Sequence, residues 1–205
     1  PTHNLGHQIY EPLIIRLDTG KLEPTLATSW KVTADPMVWE FKLRANVNFH
    51  GGEAFTADDV VFSLERALQP TSDMKGVISS IDKVTKVDDL TVHIKTKGPN
   101  PLLPDTLTNT RIMSKAWSEK NNTVTVQDYK EKKDNFASRN ANGTGPYQLV
   151  SREQDVKTVM KLFDGYWCKC QYPMGITEIS YLTIKSDATR VAALLSGEVD
   201  FIQDT

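Results

Sequence analysis

The stretch that most constrains the fold of this chain runs from residue 38 to residue 68 and begins with strand-like alternation. Apolar and charged residues alternate over 39–44, and the alternation returns at 47–49. This period of two is typical of β-strands that bury one face. Two glycines at 51–52 then predict a turn, because glycine adopts backbone conformations that other residues avoid. The pattern therefore predicts strands that lead into a tight turn.

A capped helix follows the glycine turn. Thr56 occupies an N-cap position, and Asp59 stands three residues later at the return position of a capping box. Asp58 adds negative charge near the positive end of the helix dipole. Pro70 prevents the helix from continuing further. The apolar residues that share one predicted helical face are Val60, Val61, Leu64, Ala67 and Leu68.

Periodicity predicts further elements on both sides of this stretch. They are a helix-like entry over 2–15 broken by Pro12, a hairpin strand at 90–94, a helix capped by Ser114, a mostly charged helix over 125–136, strands at 147–150, 157–162 and 176–184, a helix capped by Asp187 and ended by Gly197, and a strand at 199–202. The last three elements would form a strand, helix, strand crossover, which is the unit of a parallel sheet.

Composition limits the class of protein. The 205 residues are 39% hydrophobic and 24% charged, with a formal net charge of −2, which is ordinary for a soluble globular protein. Both signs of charge are spread along the chain, so no nucleic-acid surface is indicated. No apolar run approaches the roughly 20 residues of a membrane span. The first residue is Pro1 and no secretory signal precedes it, which favours a processed or cut chain.

Several motifs together resemble one known family. The segment FKLRANVNFHGGEAFTADDVVFSLERAL closely resembles the signature of the extracellular solute-binding proteins of peptide and nickel ABC importers. IYEPLI and LEPTLATSW precede it, and DDLTVHIKT, RIMSKAW, GTGPY and RVAALLSGEVD follow it, all in the family's order. The resemblance covers nearly the whole chain.

The resemblance implies a mixed α+β fold with a periplasmic-binding-protein-like architecture. Residues 1–12 and 113–205 are expected to form a larger lobe, into which a smaller lobe of residues 13–112 is inserted. The family's second large lobe would lie beyond Thr205, so this chain is expected to hold one side of a ligand cleft. Such a half-site is expected to bind weakly, because it leaves the ligand mostly solvated.

Arg111 and Asn109 are candidate ligand contacts in the segment 108–111. This segment resembles the family's return from the smaller lobe to the larger one. A guanidinium can hold a ligand carboxylate through two parallel hydrogen bonds, which makes Arg111 the main candidate. A surface arginine that solvates a loop is an equally acceptable interpretation.

Met74 and Thr144 are the other two candidate ligand contacts. Met74 belongs to the loop 71–80, which resembles a region near the cleft mouth of the family, although a surface connector without a role is the favoured interpretation. Thr144 belongs to GTGPY, a motif that lies beside the cleft in the family. The glycines of this motif are better explained as structural, since a phosphate-binding loop needs a longer glycine pattern and a lysine.

Two residue pairs suggest metal or redox chemistry but do not complete a site. His3 and His7 are four residues apart, and no carboxylate or cysteine completes a metal set, so two exposed polar residues are favoured. Cys168 and Cys170 form a CxC pair, for which incidental thiols are favoured over a redox or soft-metal role. We therefore expect no metal and no cofactor.

The predicted function is capture and transport of a small solute. No nucleophile and base set and no cofactor fingerprint is present, so an enzyme is not expected. The resemblance implies a monomer, periplasmic or extracellular, that closes on a small peptide and delivers it to an ABC permease in the membrane, with no nucleic-acid partner. The alternatives are a sensory or regulatory module with the same fold, or a binder of nickel complexes, opines, haem or oligosaccharides.

Overall fold

The computed structural model describes residues 2–128, 135–168 and 175–202 and has mixed helices and sheets. Its helices are α1 (Thr2–Ile9), α2 (Ala57–Ala67), α3 (Leu103–Leu107), α4 (Lys115–Lys120) and α5 (Asp187–Ser196), with a 3₁₀ turn at Phe136–Ser138. Its strands are β1 (Ile14–Arg16), β2 (Leu22–Pro24), β3 (Ala27–Val32), β4 (Val38–Leu43), β5 (Ile81–Asp88), β6 (Thr91–Thr96), β7 (Tyr147–Glu153), β8 (Lys157–Leu162) and β9 (Glu178–Leu182). The expected α+β class is confirmed. None of the described helices combines the length and apolarity needed to cross a bilayer.

An antiparallel sheet in the order β3-β4-β6-β5 forms the centre of the first half of the chain. Trp39 lies opposite Ile94 and Phe41 opposite Val92 across the two inner strands, and all four side chains are buried. Helix α2 packs against β5 and β6. The alternation over 39–44 therefore predicted the buried face of this sheet correctly.

The second strand predicted at 47–49 is wrong. Only an isolated bridge between Asn48 and Ala54 forms there. The Phe49 amide donates to the Glu53 carbonyl at 2.8 Å and closes a tight turn, in which Gly52 has φ 92°.

Asp59 caps α2 and also ties it to α4. Its carboxylate accepts the Thr56 amide at 2.9 Å, as the capping box predicts, and accepts the Lys115 amide at 2.9 Å. Ser114, the predicted N-cap of α4, accepts the Trp117 amide at 3.1 Å. Burial raises the pKa of Asp59, and these backbone donors oppose that rise. One side chain therefore satisfies the start of two helices.

The buried hydrophobic residues form two clusters. The larger cluster consists only of buried residues between Leu13 and Ile112, including Phe41, Phe49 and Leu64. The second consists of four buried residues, Leu5, Ile9, Tyr147 and Met160. It forms where α1 packs on the antiparallel sheet β7-β8-β9. The strands that build this sheet were predicted at 147–150, 157–162 and 176–184.

Four element boundaries differ from the prediction. The entry helix ends at Ile9, before Pro12, and residues 14–16 pair as a strand instead. Ser186, one residue earlier than predicted, caps α5 by accepting the Thr189 amide at 3.4 Å, and Gly197 ends the helix at φ 78° as expected. No ladder forms at 199–202, so the predicted strand, helix, strand crossover is wrong for the described residues, and β9 pairs antiparallel with β8 instead. Of the helix predicted over 125–136, residues 129–134 lie outside the described part, and 125–128 are not helical.

Candidate functional site

A cleft of about 620 Å³ opens between α1, the end of α2 and several loop segments. The described segments lie within 71–80, 108–113, 126–128 and 135–138. Its lining includes Arg66, Met74, Val77, Asn109, Thr110 and Arg111. Within the described residues, the lining contains two arginines and no carboxylate.

Arg111 is one of the two arginines in the described lining of this cleft. One terminal nitrogen, Nη1, donates to the Thr108 carbonyl at 2.9 Å. The other, Nη2, lies 2.5 Å from Nδ1 and 3.0 Å from Nε2 of His7. No carboxylate of the described residues pairs with it, and burial alone lowers the pKa of Arg111. A half-buried cation without a counter-charge is chemically suited to receive an anion.

Thr110 places an unusual polar group beside Arg111. Its side chain is 3% exposed, and its hydroxyl has no hydrogen-bond partner among the described residues. Buried polar groups normally have partners, so an unpartnered hydroxyl on a cleft wall indicates a position for a ligand or water atom. Sequence reasoning missed Thr110, because a threonine in a loop carries no distinguishing pattern.

Met74 and Asn109 also line the cleft, so three of the four predicted contacts lie around one cavity. Met74 is half-buried, and its amide donates to the Ser72 hydroxyl at 3.2 Å. Asn109 is exposed beside Thr110. The loop 71–80 is built from successive turns, which presents Met74 and Val77 as an apolar wall.

Thr144 lies elsewhere. Its side chain is fully buried and does not line the cleft. Its hydroxyl makes no hydrogen bond of good geometry with the described residues, but it lies near enough to the Glu11 carboxyl to lower the pKa of Glu11. Sequence reasoning connected Thr144 to the cleft only through the GTGPY motif, so its buried partner was not foreseen.

Glu11 is the centre of a buried polar cluster that joins distant parts of the chain. Its two carboxylate oxygens accept the Tyr166 hydroxyl at 3.1 Å and the Trp167 indole N–H at 2.9 Å. The Arg44 guanidinium lies 4.1 Å from the centre of the Trp167 ring, a cation–π distance. Burial raises the pKa of Glu11, and its hydrogen bonds partly offset that rise.

The glycines of GTGPY have a structural role, as the sequence suggested. A Cβ at Gly143 or Gly145 would overlap the carbonyl oxygens of Ile9 or Gln8. The His50 amide donates to the Gly143 carbonyl, and the His50 Nε2 donates to the Gly145 carbonyl, both at 2.9 Å. Burial lowers the pKa of His50, which favours the neutral ring. These contacts join the turn at 51–52 to the entry helix.

The two residue pairs considered for metal chemistry do not form a site in the described part of the chain. No group of three potential metal ligands occurs there. His7 contacts Arg111, whereas the side chain of His3 lies outside the described residues. Cys168 is buried, and Cys170 lies outside the described residues.

Comparison with known proteins gives the family. The glutathione-binding protein GsiB of Pectobacterium atrosepticum is 31% identical over 186 residues, which are 88% of this chain and 33% of that protein. The dipeptide-binding protein of Escherichia coli K12 is 32% identical over 181 residues, 78% of this chain and 32% of that protein. The chain therefore spans about a third of the length of these curated relatives.

A solved structure supports the same assignment. The structure of MoaA from A. tumefaciens R10 in complex with mannopinic acid superposes with a TM-score of 0.82 and 30% identity, covering 97% of this chain and 39% of that one. The family model for bacterial extracellular solute-binding proteins, family 5 middle, matches residues 21–205. The chain belongs to the bacterial extracellular solute-binding proteins of family 5.

Proposed function

We propose that this chain is part of the solute-binding component of an ABC importer, and that it holds the carboxylate of a small peptide in the cleft around Arg111. The observation that carries the proposal is the half-buried Arg111 guanidinium without a carboxylate partner among the described residues. A peptide carboxylate would accept two of its N–H donors and supply the missing negative charge. The family consists of solute-binding proteins and not enzymes, so we propose no catalytic role.

The other cleft residues would select the body of the ligand. Met74 and Val77 offer apolar contact, while Asn109 offers an amide. The unpartnered Thr110 hydroxyl would donate to a ligand oxygen or to a bridging water. We assign Thr144 to support of the buried Glu11, away from the ligand.

The expected lobes are part of the same proposal. In support, the buried members of the larger cluster all lie within 13–112 and those of the smaller cluster in the flanking segments 1–12 and 113–205, although Trp167 packs against the larger cluster. A ligand that bridges lobes favours their closure, and the closed form would be recognised by the permease. The family is extracellular, so the whole protein would act outside the membrane or in the periplasm, as a monomer.

Replacement of Arg111 by glutamine tests the proposal. NMR titration of the 205-residue chain would compare trialanine with trialanine amide, which lacks only the terminal charge. We expect the wild type to prefer the free carboxylate, and Arg111→Gln to weaken its binding roughly tenfold or more, because a charged hydrogen bond contributes about 1.5–3 kcal/mol.

Arg152→Gln is the matched control, because Arg152 lies on β7 outside the cleft lining and the substitution removes the same charge. Equal loss in both variants would point to general electrostatics. Unchanged trialanine binding in Arg111→Gln would contradict the proposed site.

An opine is the second candidate ligand. It is favoured by the likeness to MoaA, whose structure contains mannopinic acid. The same titration with mannopinic acid distinguishes the two, since tighter binding of mannopinic acid than of trialanine would replace the peptide by an opine. Absence of binding by both probes at millimolar concentration would contradict the proposed function as a whole.

A further inference from the structure

His7 and Arg111 meet although they are 104 residues apart in sequence. His7 lies on α1, between Gly6 and Tyr10, which both line the cleft. The His7 side chain is exposed, so the contact is not explained by packing in a core. The two terminal nitrogens of Arg111 thus have different partners, the Thr108 carbonyl for Nη1 and the His7 ring for Nη2.

The chemistry of the pair defines the role of each partner. A guanidinium carries only donors, so a hydrogen bond within this pair needs a ring nitrogen of His7 as the acceptor. Because the backbone at Thr108 holds Nη1, a second contact at Nη2 fixes the orientation of the guanidinium plane. A planar donor group that is already oriented loses less entropy when a carboxylate binds to it.

We propose that His7 is a positioning residue for Arg111. Its ring orients the guanidinium toward the cleft, and the remaining N–H donors receive the ligand carboxylate. This inference rests on the proposed function, because it assumes that Arg111 is the anion-binding group. It adds α1 to the specificity-determining elements of the site.

A double-mutant cycle tests the inference by titration with trialanine, trialanine amide and mannopinic acid. His7→Phe keeps a flat ring but removes the acceptor, and we expect it to weaken binding of the carboxylate probe about fivefold, less than loss of Arg111 itself, because the charged donors remain. His7→Gln keeps an acceptor oxygen and should restore most of the affinity. In the Arg111→Gln background, His7→Phe should have no further effect. Binding of trialanine amide should be unchanged throughout.

Each outcome separates the inference from the proposed function. If Arg111→Gln weakens binding while His7→Phe does not, the positioning role is overturned and the anion site stands. If His7→Phe weakens all three probes equally, or weakens binding as much without Arg111 as with it, His7 acts on its own and the inference is wrong. If Arg111→Gln changes nothing, or no probe binds, both proposals fail. Thermal unfolding of each variant confirms that the exposed substitution leaves the fold intact.

Discussion

At the residue scale, Glu11 combines a charge with almost complete burial. It is 6% exposed, and its carboxylate is held by two aromatic donors. Nothing in the IYEPLI motif distinguishes this glutamate from a surface residue, because its partners Tyr166 and Trp167 lie about 155 positions away. Patterns within a short segment of sequence do not predict contacts between residues that are this far apart. The same limit explains why His7 and Thr110 were not predicted at the cleft.

Glu11→Gln should change how stability depends on pH. Because burial raises the pKa of Glu11 in the folded state, folding is favoured by the protonated form. The contribution is fully present below the unfolded value of about 4.3 and is lost as pH rises through the folded value. We therefore expect the free energy of unfolding of the wild type to fall relative to Glu11→Gln between pH 4 and pH 7, measured by urea denaturation. Parallel curves would show that burial of Glu11 does not shift its ionisation.

Gly143→Ala should destabilise the protein by about 1–3 kcal/mol, the usual range for overpacking. The added methyl group would overlap a backbone carbonyl of α1, which cannot move aside as a flexible side chain can. Gly98→Ala is the matched control, because a Cβ there meets nothing within 4 Å. Equal midpoints of chemical denaturation for the two variants would contradict the close approach of GTGPY to the entry helix.

At the element scale, local signals predicted the elements and tertiary contacts decided their ends. Three helix ends were predictable from the sequence, because each depends on residues within one helical turn. They are the capping box of α2, the Ser114 cap and the end at Gly197. The strand predicted at 47–49 failed because the alternation continues into a turn that is too tight for a ladder. Periodicity indicates which face of a segment is buried, but it does not show whether a neighbouring strand forms hydrogen bonds with that segment.

Asp59→Ala should lower the free energy of unfolding by more than the loss of an ordinary helix cap does. The carboxylate accepts the Thr56 amide and the Lys115 amide, so its removal leaves these two amides, one at the start of each helix, without their acceptor. We expect about 2 kcal/mol or more of destabilisation, against about 1 kcal/mol for a single cap. Asp82→Ala, an exposed position on β5, is the control and should change little. A loss of similar size in both variants would contradict the double cap.

At the scale of the whole molecule, the mixed fold and the family were predictable because the motifs occur in order along nearly the whole chain. The ligand was not predictable, because the cleft combines α1, the end of α2 and loop segments from distant parts of the sequence, and the loop segments have no periodic pattern. The three predicted contacts that do line it, Met74, Asn109 and Arg111, came from turn chemistry and resemblance. Their neighbours Thr110 and His7 were identified only in the structure.

The length of the chain relative to its relatives has a consequence for affinity. The chain spans about a third of the curated relatives, so we propose that it supplies one wall of the binding site. A ligand on one wall stays largely solvated and gains little from desolvation. We expect isothermal titration with a pool of small peptides to give affinities weaker than micromolar. Submicromolar binding would instead require a complete enclosed site within these 205 residues.

The most direct test of the central claim is to map where the carboxylate probe binds. Amide and guanidinium NMR signals of the isotope-labelled chain would be followed during titration with trialanine. We predict that the largest shifts occur at Arg111 and at its cleft neighbours Met74, Asn109 and Thr110, and that they nearly vanish with trialanine amide. Shifts that cluster away from this cleft, or that are equal for the two probes, would contradict the account.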